Sequence, residues 1–149
     1  MTIAFSIDPE TGDIWIGEAR LAAHQAKAEV EPRLAQLIEG ARDHGNGYEW
    51  LYLGGVSFGG QPAGLALCFH NGRLAEAMWS LRYAEVAEEG AWPSRDASEA
   101  EIAFVREVLA RDMGFDARRA SMRFGWGEVW SDYDEKGAMA GNGLRYRRP

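Results

Sequence analysis

Ala63 to Tyr83 reads AGLALCFHNGRLAEAMWSLRY, and the dipeptide at its centre, Asn71-Gly72, decides the fold class. A type I′ turn needs two successive residues at positive φ, and Asn-Gly tolerates both. Apolar runs flank the dipeptide, AGLALCF before it and RLAEAMWSLRY after it. In the second run Trp79, Leu81 and Tyr83 alternate onto one face. Two antiparallel strands in the middle of a chain make a sheet the organising element.

Working outward, YEWLYLGGV (48–56) sets Tyr48, Trp50 and Tyr52 against Leu51 and Leu53, a further strand. TIAFSID and IWIGEA form a hairpin around the turn Pro9–Asp13. Val30, Leu34, Leu37, Ile38 and Ala41 recur at helical spacing. Pro32 suits a first helical turn, so this periodicity predicts a helix from about Glu29–Glu31 to the HGNG at 44–47. After GAWPSRDASEAE, Ser98 and Glu101 match a capping box. They predict a second helix with Ile102, Val105, Leu109 and Met113 inward and Gly114 as its C-cap. A strand over Ser121–Trp130, a turn over Ser131–Lys136 and a return strand over Gly137–Arg147 complete the chain. The order ββ-α-βββ-α-ββ predicts one α+β domain over residues 1–149. Its sheet is expected to be an antiparallel meander of hairpins, with the two helices packed on one face.

Composition narrows function. The net charge is -7. Residues 1–117 hold 19 acids and 9 bases, residues 118–149 hold 4 and 7. An acidic body lacks the footprint of a nucleic-acid binder and steers toward a basic partner. Cys68 stands alone, so neither an intramolecular disulfide nor a cysteine-rich zinc site can form. The start of the chain lacks the pattern of a signal peptide, and no apolar run approaches the roughly 18 residues of a membrane span. A cytoplasmic location is expected.

Gly55-Val-Ser57-Phe-Gly59 matches the nucleophile elbow G-x-S-x-G. A strand rather than a helix follows it, and His70 comes without an acidic residue in between. A glycine-rich turn accounts for it better than a serine hydrolase does. Asp132-x-Asp134-x-Lys136-Gly137 begins like a calcium loop, but Lys136 and Gly143 occupy ligand positions. His24, His44 and His70 have no metal-ligand spacing. No metal, cofactor or catalytic set is expected.

FGWGEVWSDYDEKG (124–137) holds the candidate site. In one extended strand Phe124, Trp126, Glu128 and Trp130 share a side, and Asp132, Tyr133 and Asp134 follow at the tip. Two indoles around a carboxylate suit a sugar or a cation. Equally, the tryptophans could be core, with Glu128 paired to an arginine such as Arg145.

The tail FGWGEVWSDYDEKGAMAGNGLRY resembles a C-terminal signature of small bacterial proteins, several with the character of polymorphic-toxin immunity proteins. LALCFHNGRLAEAMW resembles the F-x-x-G-x-L hairpin of helix-plus-meander modules of the β-lactamase-inhibitor or SmpA type. The resemblance implies a binding protein and assigns no individual residue. The leading expectation is therefore a non-catalytic bacterial protein that neutralises a toxin domain, one of basic character, by protein–protein interaction. A small ligand-binding domain or enzyme using Glu128, Asp132 and Asp134 beside Trp126 and Trp130 is the first alternative. A structural homodimer is the second.

Overall fold

Asn71 and Gly72 have φ of 50° and 78°, the paired positive angles of the expected turn. They join β6 (Gln61–His70) to β7 (Arg73–Leu81). The computed structural model describes residues 1–82 and 93–149. Tyr83 and the beginning of the GAWPSRDASEAE boundary lie outside the described residues.

The sheet grows on both sides of this hairpin. β5 (Tyr48–Phe58) pairs with β6, setting Leu51 opposite Leu67 and Leu53 opposite Leu65. Gly59 and Gly60, at φ 58° and 86°, turn one strand into the other. The end of the G-x-S-x-G stretch is thus a hairpin turn, as expected. On the far side β10 (Met139–Tyr146) pairs with β7, β9 (Gly127–Asp134) with β10, and β8 (Ser121–Phe124) with β9. β1 (Ile3–Ile7) joins the other edge of β5 and carries β2 (Ile14–Ile16) and β3 (Ala19–Leu21).

The α+β class and the alternation of strand groups with helices are as expected, each strand group being longer by one. β3, after a turn at Gly17-Glu18, and β8 are two of the additional strands. The third is β4 (Ile38–Asp43), which pairs with β5. The sheet is mixed rather than wholly antiparallel, because β1 runs parallel to β5.

The first helix departs furthest from expectation. α1 spans only Lys27–Arg33, and Pro32 falls near its end. Proline has no N–H to donate to the preceding turn, so the helix stops there. Ile38 and Ala41 then pair with Leu53 and Leu51. α2 (Arg95–Met113) begins earlier than the Ser98 capping box suggests. Its N-cap is Ser94, whose hydroxyl accepts from the Ala97 N–H at 3.1 Å. Ser98 lies buried inside the helix. Gly114 takes the left-handed C-cap conformation at φ 69°, as expected.

Both helices serve one face of the sheet. Val30 and Leu34 of α1 and Val105, Val108, Leu109 and Met113 of α2 join Leu51, Leu65, Leu67, Ala77, Val129 and Leu144 in a single core. Each large apolar side chain buried there contributes about 1.5–3 kcal/mol. Phe5, Phe58 and Trp79 meet with ring centroids 5.1–5.6 Å apart, welding the β1 wing to the centre of the sheet. Among the described residues, no helix is long and apolar enough to cross a membrane.

Candidate binding face

Strand alternation puts every second residue on the opposite, outer face. The register across five strands there runs Tyr52, Ala66, Met78, Gly143, Trp130. The row beside it runs Trp50, Cys68, Glu76, Arg145, Glu128, Arg123. Aromatic side chains therefore stand at both margins, with small residues between them. Tyr52 is 40% exposed, and its ring lies within 6° of parallel to that of Trp50. A shallow depression of about 300 Å³ runs past Tyr52, Ala66, Met78 and Met139.

The absent side chain of Gly143 makes this surface. A Cβ there would meet Trp130 Cζ2 at 2.5 Å, so the indole lies across the backbone of β10. Arg145 places its guanidinium 5.3 Å from the Trp130 ring centroid. It also bridges Glu76 at 3.4 Å and Glu128 at 3.3 Å. Exposed ion pairs of this kind contribute little to stability, about 0–1 kcal/mol. Their effect is to hold the arginine in place.

The structure divides the six candidate residues. β8 and β9 are separate strands joined at Gly125-Trp126, with Phe124 opposite Gly127, so Trp126 leaves the row shared by Glu128 and Trp130. Trp126 instead stacks on Phe124 at 5.2 Å and donates its indole N–H to the Pro9 carbonyl at 2.9 Å. Gly12, at φ 77°, leaves room for that indole, which a Cβ would strike. Tyr146 donates its hydroxyl to the Gly12 carbonyl at 2.6 Å, and its burial, then the charge of Asp13, push its phenol pKa up. Trp126 and Tyr146 thus pin the β1–β2 turn.

Asp132 lies 3.6 Å from Arg106, whose Nε–H also donates to the Ser131 carbonyl. The Tyr133 ring sits under Arg95 at 3.7 Å. Asp134 accepts from the Lys136 N–H at 3.0 Å, and β9 reaches Asp134 instead of turning at Ser131. Glu128, Asp132 and Asp134 are therefore each engaged at a different place. Among the described residues, no group of three or more His, Cys, Asp or Glu is placed to hold a metal ion.

A polar cluster that the sequence did not reveal lies inside the sheet. Asn142 donates to the Trp79 carbonyl at 3.1 Å and to Glu101 Oε2 at 2.8 Å, while its own oxygen accepts from Ser131 at 2.7 Å. Burial raises the Glu101 pKa, and hydrogen bonds from Asn142 and the Leu81 backbone oppose the rise. This cluster clamps α2 to β7, β9 and β10. Sequence reading also missed Trp50, Tyr52 and Met78 as parts of a face. The signal was present in YEWLYL, whose aromatic residues alternate with its leucines.

No family model matches the sequence, and no curated protein is similar to it. Among solved structures, the one titled "Rhs1-CT in complex with cognate immunity protein RhsI1" contains a chain of similar fold. The likeness covers 96% of this chain and 87% of that one, at a TM-score of 0.56 and 13% identity. At that identity it is a likeness of architecture, carried by nearly the whole chain.

Proposed function

We propose that the chain is a non-catalytic binding protein that neutralises a toxin domain, and that it holds its target on the outer sheet face. The observation that carries this reading is the likeness, over 96% of the chain, to a chain from a complex with a cognate immunity protein. That complex holds two proteins, and the residues here favour the inhibitor's part. The carboxylates an enzyme would need to converge are spent separately on Arg145, Arg106 and a turn. What the outer face does offer is Trp50, Tyr52, Met78 and Trp130 around a small-residue floor, with Arg145 fixed among them. Tryptophan, tyrosine and arginine dominate the energetics of protein interfaces. Of the candidate residues, Trp130, Glu128, Asp132 and Asp134 belong to this face by strand parity, whereas Tyr133 has the opposite parity and lies under Arg95 of α2.

The test is co-expression with the product of the adjacent gene. Growth should be rescued by the wild-type chain and the two proteins should elute together from a sizing column. A harmless neighbour, or a toxic one that is neither bound nor rescued, ends the reading.

A further inference from the structure

We infer that the end of the sheet where β7 begins and β10 finishes is a receptor for a carboxylate-rich segment of a protein partner. In the setting of the function proposed above, that segment belongs to the toxin domain. The antiparallel register places Arg145 opposite Glu76, so the residues after Tyr146 run beside the start of β7. Arg148 thereby shares a cleft with Arg73, while Arg147 and Arg123 line the neighbouring one, Arg123 arriving from β8 through its pairing with Glu128. Two clefts open there, of about 580 Å³ and 440 Å³, sharing Arg145 and Tyr146 as their common wall.

The charge at this end is distinctive. Arg145 is compensated by Glu76 and Glu128. Arg73, Arg123, Arg147 and Arg148 line the clefts, and none of them has a carboxylate within 4.0 Å among the described residues. Elsewhere the arginines are ion-paired, Arg33 and Arg42 excepted. Among the described residues, a chain of net charge -7 thus gathers most of its uncompensated guanidiniums at one end of its sheet. Like charges so placed repel one another until an anion joins them.

Two of these arginines are also held in position. Arg73 Nη1 donates to the His24 carbonyl at 3.2 Å, and Arg147 Nη1 to the Gly125 carbonyl at 3.1 Å. His24 itself sits at φ 62°, a left-handed conformation uncommon for a side-chain-bearing residue. A guanidinium has five N–H donors, so each retains a fork for a carboxylate. The pattern suits an acidic peptide better than a nucleic acid. Glu76 and Glu128 interrupt the cationic track that a phosphodiester backbone requires. The nearby rings are each stacked on a neighbour, Tyr48 on His70 at 4.4 Å and Phe124 on Trp126 at 5.2 Å, which leaves at most one face of each for a base.

The experiment is an NMR titration of the isotopically labelled chain with hexaglutamate at low salt, with a six-nucleotide single-stranded DNA in parallel. Saturable amide shifts confined to the surroundings of Arg73, Arg123, Arg147 and Arg148 are expected, disappearing in roughly 1 M salt, where charges are screened within about 3 Å. Arg148→Glu should weaken hexaglutamate binding at least tenfold without moving the thermal midpoint, because the Arg148 side chain makes no hydrogen bond or ion pair among the described residues. Arg73→Glu with Arg148→Glu should abolish it. No saturable shift, shifts elsewhere, or tighter binding of the oligonucleotide overturns the inference. The same variants separate it from the function proposed above. A toxin that binds wild type and both variants equally removes the docking role and leaves the immunity reading standing. If hexaglutamate binds but the adjacent gene product does not, the receptor stands and the toxin reading falls.

Discussion

The two faces of the sheet are built from the same strands, yet they are put to different uses. On the inner face Leu51, Leu67, Phe69, Val129 and Leu144 are wholly buried under α1, α2 and the β1 wing. One residue along each strand, the outer face carries Tyr52 at 40% exposure at one margin and Trp130, with Arg145 over its ring, at the other. The inner face is specified by volume, and the outer face by flat rings on small residues and by charges that hold one another. A face of the second kind needs no cover for the chain to fold. It stays available to a partner, and the contrast can be attacked by mutation from either side.

The largest effect belongs to the inner face. Leu67→Ala removes a side chain with 0% exposure at the centre of the sheet and should cost about 3 kcal/mol. A urea titration followed by tryptophan fluorescence reads it. A loss below about 1 kcal/mol would mean that the inner face is looser than its burial indicates.

Asn142→Ala should come next, at about 2 kcal/mol, because it strands Ser131 and Glu101 without their partner. This loss should depend on pH. Burial already raises the Glu101 pKa above 4.5, and Asn142 is one of the donors that lower it again. A carboxyl whose folded pKa is raised keeps its proton where the unfolded chain has released it, so stability falls as pH rises through that interval. Without Asn142 the fall steepens, and the variant should be less impaired near pH 5 than at pH 7. Equal impairment at both would disconnect Glu101 from the cluster.

Trp130→Ala should cost only about 1 kcal/mol in stability, because the ring lies on the sheet rather than within it. Its weight should fall on binding, roughly thirty-fold in affinity for the toxin partner, equivalent to about 2 kcal/mol. Calorimetry on variant and wild type checks both. If affinity is kept while stability collapses, the two faces are not distinct in the way described.

How much of this was legible beforehand follows from the range of the interactions. Asn71-Gly72 and Gly114 act through their own backbone angles, so the sequence names them. The alternation in YEWLYL was equally local. The stretch Leu37–Ala41 kept helical spacing, yet Pro32 ends the helix and β5 recruits Ile38 and Ala41 by distant pairing. Trp126 was misplaced for the same reason. Its indole hydrogen-bonds Pro9, 117 residues away, and the turn at Gly125-Trp126 breaks the row it was assigned to. The candidate site was half visible. Trp130 and Glu128 do share a face and Glu128 does pair with Arg145, as expected, while Trp50, Tyr52 and Met78 reach that face only through strand order.

Cys68 gives the smallest effect and bears on whether the outer face is packed or merely bare. Its register points it outward between Trp50 and Glu76, yet it is only 1% exposed. Burial, then the charge of Glu76, push the thiol pKa up to about 11. At pH 8 only about one thiol in a thousand is then ionised, and because the thiolate is the nucleophile, alkylation by iodoacetamide should be very slow in the folded protein. Trp50 stands directly across from Cys68, close enough to cover it. Trp50→Ala should therefore speed alkylation at least tenfold while costing little stability. The sign for stability follows from the raised pKa. The folded state holds the proton longer than the unfolded chain, so a stabilising contribution present below pH 9 declines toward pH 11, and Cys68→Ala should flatten that decline. An alkylation rate unchanged by Trp50→Ala would show that the cover comes from the strands themselves, leaving Trp50 free to turn toward a partner.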